Sequence, residues 1–173
     1  MEFFVLERDK RLDHLAGGLV CSARLEQGYE AAEDNELVEV HGEGARDYGC
    51  MLEQPTLLVT SELRMLLTKY DSQMAYKTVS IIDKNFNGLQ LNYFLINMRE
   101  VDVMDAIPPD VLKRSKAALG FRIRRGDVPE CPFFGMTYYR KKYLVVRLDV
   151  AEHVLRAGLY GVAVKRLQLK ECD

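Results

Sequence analysis

Two segments of the chain share one hydrophobic pattern, in which a strand-like run leads directly into an amphipathic helix. They span residues 57–70 and 143–157. In the first segment, apolar side chains recur at intervals of three and four residues, which places them on one face of a helix. These side chains belong to Leu63, Leu66, Leu67 and Tyr70. We predict that this stripe packs in the hydrophobic core.

Capping signals mark the boundaries of both predicted helices. Thr60 or Ser61 precedes the first stripe, and either side chain can accept a hydrogen bond from the unpaired N–H groups of a helix start. Asp149 and Glu152 form an acidic variant of the capping box at the start of the second helix. Gly158 is expected to end that helix.

Alternating and apolar runs elsewhere predict β-strands. The longest run, residues 89–98, divides its side chains between two faces. Leu89, Leu91, Tyr93 and Leu95 share one face, and Gln90, Asn92, Phe94 and Ile96 share the other. A turn-forming segment at 83–88 joins this run to a strand at 78–82, which predicts an antiparallel hairpin. Further strands are predicted at 3–6, 37–40, 121–124 and 160–167, a short helix at 110–119 and a loop at 126–135.

The order of these elements predicts the fold class. Strands and helices are mixed without the regular spacing of βαβ units, which favours an α+β fold with a mainly antiparallel sheet and a few short packed helices. A chain of 173 residues suits a single domain. Residues 55–167 form the predicted scaffold, and residues 1–54 are either part of it or an added subdomain.

Composition and charge narrow the class of protein. Hydrophobic residues make up 48% of the chain and charged residues 29%, as in soluble globular proteins. The formal net charge of −2 gives no reason to predict binding to nucleic acid or to a membrane. No apolar run reaches the roughly 20 residues that span a bilayer.

The N-terminus and the cysteines indicate a cytoplasmic protein. Acidic residues occupy the place where a signal peptide would carry basic ones, so export is not expected. Cys21, Cys50, Cys131 and Cys172 lie far apart, without the short spacings of a zinc site. Reduced thiols in a cytoplasm are therefore the expected state.

Recognised catalytic and cofactor motifs are absent from the sequence. It contains no Gly-rich phosphate loop, zinc-protease motif or nucleophile elbow, so no cofactor and no metal are predicted. Two weaker arrangements remain. Glu100 and Asp102 would share one face of a continued strand, where paired carboxylates could act as acid and base or bind a cation. His41 and Cys50 could act as base and nucleophile.

Two segments of the chain carry opposite charges. Residues 26–47 contain eight acids and a single arginine, and such a face can attract a basic partner. The candidate contacts in it are Glu30, Glu33, Asp34, Glu36 and Glu39. Residues 122–142 are basic and include aromatic residues, a combination that could also hold single-stranded nucleic acid. The candidate contacts there are Arg122, Arg124, Arg125, Arg140 and Lys141, with Phe133, Phe134, Tyr138 and Tyr139 as the aromatic residues.

Three stretches of the chain are more specific together than any one of them. The first is the strand, Ser cap and helix of residues 55–67. The second is residues 93–105, in which a strand ends at Asn97 and an acidic stretch follows. The third is the helix and glycine-containing return of residues 149–161. Together they resemble an immunity-protein family of bacterial polymorphic-toxin systems, formerly a domain of unknown function, and the resemblance implies a fold and a general role but no catalytic residues.

The role that the resemblance implies is to bind and neutralise a cognate protein toxin inside the producing cell. Inhibition by occlusion needs a complementary surface and slow dissociation, not chemistry. The charged segments 26–47 and 122–142 are then the expected contacts. An enzyme or ligand-binding protein that uses Glu100 with Asp102 or His41 with Cys50 is one alternative, and a nucleic-acid-binding module is another. The sequence leaves open whether copies of the chain form a homo-oligomer.

Overall fold

The hydrophobic runs of the sequence build two large β-sheets with helices packed between and beside them. The computed structural model describes residues 1–15, 19–41, 47–54, 56–86, 89–102, 122–138 and 141–170. In chain order the strands are β1 (Phe3–Arg8), β2 (Leu19–Val20), β3 (Asn35–Val40), β4 (Met51–Leu52), β5 (Leu58–Val59), β6 (Tyr76–Asp83), β7 (Leu89–Ile96), β8 (Glu100–Asp102), β9 (Arg122–Arg124), β10 (Phe133–Tyr138), β11 (Lys141–Arg147), β12 (Val162–Arg166) and β13 (Gln168–Lys170). The α-helices are α1 (Ala23–Gln27), α2 (Ser61–Thr68) and α3 (Leu148–Ala157).

The first sheet has the strand order β12-β1-β11-β10-β8. Strand β1 is antiparallel to both of its neighbours, and only the β10–β8 pair is parallel. The apolar start of the chain explains the central position of β1, because Val5 and Leu6 point to opposite faces and both are fully buried.

The second sheet has the strand order β2-β3-β6-β7-β5-β4. Strands β6 and β7 form the predicted antiparallel hairpin, with Ser80 opposite Asn92, and a 3₁₀ turn at Lys84–Phe86 connects them. Strand β3 pairs with β6 in parallel. The described part of residues 1–54 therefore supplies strands to both large sheets. A separate parallel pair, β9 with β13, lies outside them.

Three hydrophobic clusters hold these layers together. The first joins α2 and α3 to both sheets and includes Leu6, Met51, Leu67, Ile96 and Val154. The second covers the other face of the second sheet and includes Leu25, Val38, Val79, Ile81 and Tyr93. The third covers the other face of the first sheet and includes Phe3, Ile123, Phe134, Val145 and Leu167.

Helices α2 and α3 confirm the predicted positions of the helices, the apolar stripe and the end of the second helix at Gly158, but not the predicted capping hydrogen bonds at the helix starts. Leu63, Leu66 and Leu67 are buried in the first cluster. Thr60 is the N-cap of α2, yet its side chain accepts no hydrogen bond from the helix start. The capping box at Asp149 and Glu152 is wrong, because α3 already begins at Leu148 and the carboxylate of Asp149 binds the guanidinium of Arg147 instead.

The structure confirms the α+β fold with mostly antiparallel sheets. The predicted loop at 126–135 is wrong in its second half, because β10 begins at Phe133. The predicted helix at 110–119 lies outside the described residues. Within the described ranges, no helix combines the length and the apolar character needed to cross a bilayer.

Candidate protein-interaction surface

The structure places the predicted acidic contacts in two environments, four at the surface and one inside the protein. Glu30, Glu33 and Asp34 are exposed between α1 and β3. Glu33 forms a surface ion pair with Arg24. Glu39 lies on β3 with about half of its side chain exposed, and these four acids are placed where a partner could reach them.

Glu36 departs from this arrangement, because it points into the protein and is only 9% exposed. Its carboxylate accepts hydrogen bonds at 2.9 Å from the Ser22 hydroxyl and at 2.9 Å from the backbone N–H of Glu33. Ser22 in turn caps α1 by accepting from the backbone N–H of Leu25 at 3.1 Å. Glu36 therefore holds α1 against β3, and its predicted role as a partner contact is not supported by its position.

The strand alternation that buries Glu36 also creates a sheet face that is open to solvent. Even-numbered positions of β3 and odd-numbered positions of β6 and β7 face the second hydrophobic cluster. The remaining positions, apart from the acid Glu39 on β3 and the buried Ile96 at the end of β7, form what we call the open face. Its residues are Asn35, Leu37, Tyr76, Thr78, Ser80, Ile82, Gln90, Asn92 and Phe94.

The open face combines exposed apolar groups with uncharged hydrogen-bonding groups. Leu37 is 50% exposed and Tyr76 is 47% exposed. Between them the Ser80 hydroxyl donates to the Asn92 amide oxygen at 3.2 Å, and the Gln90 amide nitrogen donates to the Ser80 hydroxyl at 3.3 Å. Protein interfaces have this composition, with few charges at the centre and polar groups at the rim.

Arg64 of α2 stands at one border of the open face. Its guanidinium carbon lies 4.2 Å from the centre of the Tyr76 ring and 4.6 Å from the centre of the Phe94 ring. The two rings meet edge to face, with their centres 5.5 Å apart. No sequence pattern predicted this contact of Arg64 with the two rings, although the alternation of residues 89–98 already places Phe94 on the polar side of its strand.

The described residues of the basic segment lie on other elements than the open face. Arg124 is exposed on β9, which packs with β13 over the outer face of the first sheet through Ile123. Arg125 is exposed in the 3₁₀ turn at Arg125–Asp127, and Lys141 is exposed at the start of β11. Arg140 and the side chain of Arg122 lie outside the described part of the structure.

The aromatic residues Phe133 and Phe134 are core residues and not loop residues. They occupy β10, with exposures of 4% and 0%. Phe134 meets the ring of Phe3 edge to face at 5.8 Å. Buried rings cannot stack on nucleic-acid bases, so these two residues give no support to the nucleic-acid alternative. Tyr139 and the side chain of Tyr138 lie outside the described residues.

Glu100 and Asp102 lie on one side of β8, as the strand alternation predicts. Glu100 is exposed and forms an ion pair at 2.7 Å with Lys142 of β11. This ion pair links β8 to β11. Within the described ranges, no three His, Cys, Asp or Glu side chains are grouped as metal ligands.

Cys50 and His41 have different surroundings. Cys50 is buried in the first hydrophobic cluster, and this burial raises the pKa of its thiol to about 12. Its thiol therefore stays protonated at neutral pH, whereas a nucleophile must be a thiolate. His41 is exposed, with its ring 3.6 Å from the carboxylate of Glu39.

No protein-family model matches the chain, and no curated protein matches it. The function is therefore inferred from the surface itself.

Proposed function

We propose that the chain is an immunity-type protein that binds a cognate bacterial toxin and blocks it by occlusion. The observation that carries the proposal is the open face, a three-stranded surface of apolar and uncharged polar side chains with acids at its β3 border. An antiparallel strand pair can leave one face in water, and this face sets the exposed apolar side chains of Leu37 and Tyr76 beside uncharged polar groups, as protein interfaces do.

The border acids suit a basic target. Asp34 and Glu39 flank the open face at the two ends of β3, and Glu30 and Glu33 precede it. Acids around an uncharged centre accelerate the encounter with a positively charged protein and discourage other acidic proteins. A nuclease toxin, which must bind a polyanion, would present a basic surface of this kind.

The enzymatic alternative has weaker support. Its two residue pairs are a buried, protonated thiol with an exposed histidine, and a carboxylate pair with one member bound to Lys142. The ring of His41 approaches Glu39 and the carboxylate of Glu100 is bound by Lys142. A binding surface accounts for more of the exposed groups than either pair does.

The test is co-expression with the toxin domain encoded beside this gene. We expect the chain to restore growth and to co-purify with the toxin as a stable complex. Gln90→Arg should weaken the complex at least about tenfold, because a long charged side chain would then replace an uncharged group of the buried face.

The matched control is Gln27→Arg on α1, which changes the same residue type at an exposed position on the opposite side of the sheet. This variant should bind like the wild type. No growth rescue and no complex with the wild-type chain would contradict the proposed function. Equal weakening by both variants would instead remove the open face from the interface.

A further inference from the structure

The guanidinium of Arg64 packs on two aromatic rings, those of Tyr76 and Phe94. Among the residues that the structure describes, none accepts a hydrogen bond from its buried Nε atom and no acidic side chain forms an ion pair with it. Other cations of the sheets do have acidic partners, such as Lys142 with Glu100 and Lys165 with Glu7.

This arrangement favours recognition by the arginine over a purely structural role. Arg64 is only half-buried, so a carboxylate from outside could give its guanidinium the charged partner that the described residues do not supply. The two rings restrict the side chain before binding, so less rotational entropy is lost when a ligand arrives. Arginine and tyrosine are also the residue types that contribute most at protein interfaces.

We infer that Arg64 is the anchor of the open face and that it receives a carboxylate from an Asp or Glu side chain of the toxin. This inference rests on the proposed function. The planar guanidinium matches a carboxylate through two parallel hydrogen bonds, a geometry that lysine cannot provide.

The charges along the open face favour a protein partner over a polyanion and orient that partner on the face. Asp34 directly precedes β3 and Glu39 lies on it, two strands away from the strand that carries Phe94. They disfavour a polyanion, which would place phosphates along the whole face. A toxin surface that fits has an acidic residue over Arg64 and basic residues over β3.

The experiment compares Arg64→Ala, Arg64→Lys and the control Lys69→Ala for binding to the toxin domain encoded beside this gene. Lys69 is an exposed cation just after the same helix. We expect Arg64→Ala to weaken binding about 30-fold and Arg64→Lys about tenfold, with Lys69→Ala unchanged. Thermal unfolding of each free variant shows whether the fold is retained.

The possible outcomes distinguish a failure of this inference from a failure of the proposed function. If the wild type binds and Arg64→Lys binds equally well, the paired hydrogen bonds are absent and the inference is overturned. If the wild type binds and Arg64→Ala binds equally well, Arg64 is not the anchor. A wild-type chain that does not bind the toxin overturns the proposed function together with the inference. Retention on single-stranded DNA that depends on Arg64 would assign the site to phosphate instead.

Discussion

The hydroxyl of Tyr70 lies 3.2 Å from Nδ1 of His153, and the two rings meet edge to face with their centres 5.9 Å apart. The same hydroxyl donates to the backbone carbonyl of Asp149 at 3.1 Å. Tyr70 follows α2, whereas both partners belong to α3. The contact therefore joins the two helices that carry the repeated strand-into-helix pattern of the sequence.

Tyr70→Phe should destabilise the chain by about 1 kcal/mol, because it removes the hydroxyl and leaves the ring packing in place. Urea denaturation monitored by circular dichroism measures the change. Tyr29→Phe is the control, since no hydrogen bond from the Tyr29 hydroxyl is among the described contacts. Equal stability of the two variants would show that the hydroxyl of Tyr70 does not join the helices.

Gly161→Ala should destabilise the chain by about 2–4 kcal/mol. Gly161 has a φ of +77°, and a Cβ there would lie 2.8 Å from the Cα of Gly49 and 2.8 Å from Cδ1 of Leu12. Both the backbone conformation and the space exclude a side chain. The measurement is the midpoint of thermal unfolding.

Gly126→Ala provides the matched control for Gly161. A Cβ at Gly126 would meet no atom within 4 Å. Its substitution should change the midpoint little, because the new methyl group points into open space. A Gly161→Ala variant as stable as Gly126→Ala would contradict the close approach between Gly49 and Gly161.

The Cys50 thiol should make the fold less stable at alkaline pH. Burial raises the pKa of this thiol from its ordinary value of 9.0 to about 12, so the folded chain keeps the proton where the unfolded chain has lost it. The stabilisation is complete below pH 9 and is lost as the pH rises from about 9 to about 12. Between pH 8 and pH 10.5 the loss should be about 1–2 kcal/mol.

Urea denaturation at several pH values, with Cys50→Ala as the reference, measures this contribution. The reference is needed because burial also raises the pKa of the Cys21 thiol, to about 11. The wild type should lose stability more steeply than Cys50→Ala. Parallel pH profiles would mean that Cys50 titrates in the folded chain as it does in the unfolded one.

Substitutions of the acids near β3 should have different effects, because some of these side chains face solvent and one points into the protein. Asp34→Asn and Glu39→Gln are expected to slow association with the toxin several-fold at low salt and much less at high salt, because salt screens exposed charges. Glu36→Gln should instead lower stability by about 1–2 kcal/mol, because its carboxylate accepts two internal hydrogen bonds. Stopped-flow binding and urea denaturation separate the two effects, and a salt-independent change for Asp34→Asn would argue against steering.

The sequence alone predicted the elements that local periodicity determines. The spacing of Leu63, Leu66 and Leu67 fixes one face of α2, since a helix repeats every 3.6 residues. The alternation along β7 fixes which side chains share a face, since a strand repeats every two residues. The α+β class follows from the order of such segments.

Tertiary structure decided which of these faces are covered, because burial depends on contacts between residues distant in the chain. Phe94 and Asn92 share one side of β7, yet α2 covers only the end near Phe94 and leaves Asn92 in the open face. The sequence does not distinguish Glu36 from its acidic neighbours. The pairing of β3 with β6 places its side chain inside the protein. No local pattern indicated that Arg64 would meet Tyr76 and Phe94, since strand pairing and helix packing together bring the three side chains to one place.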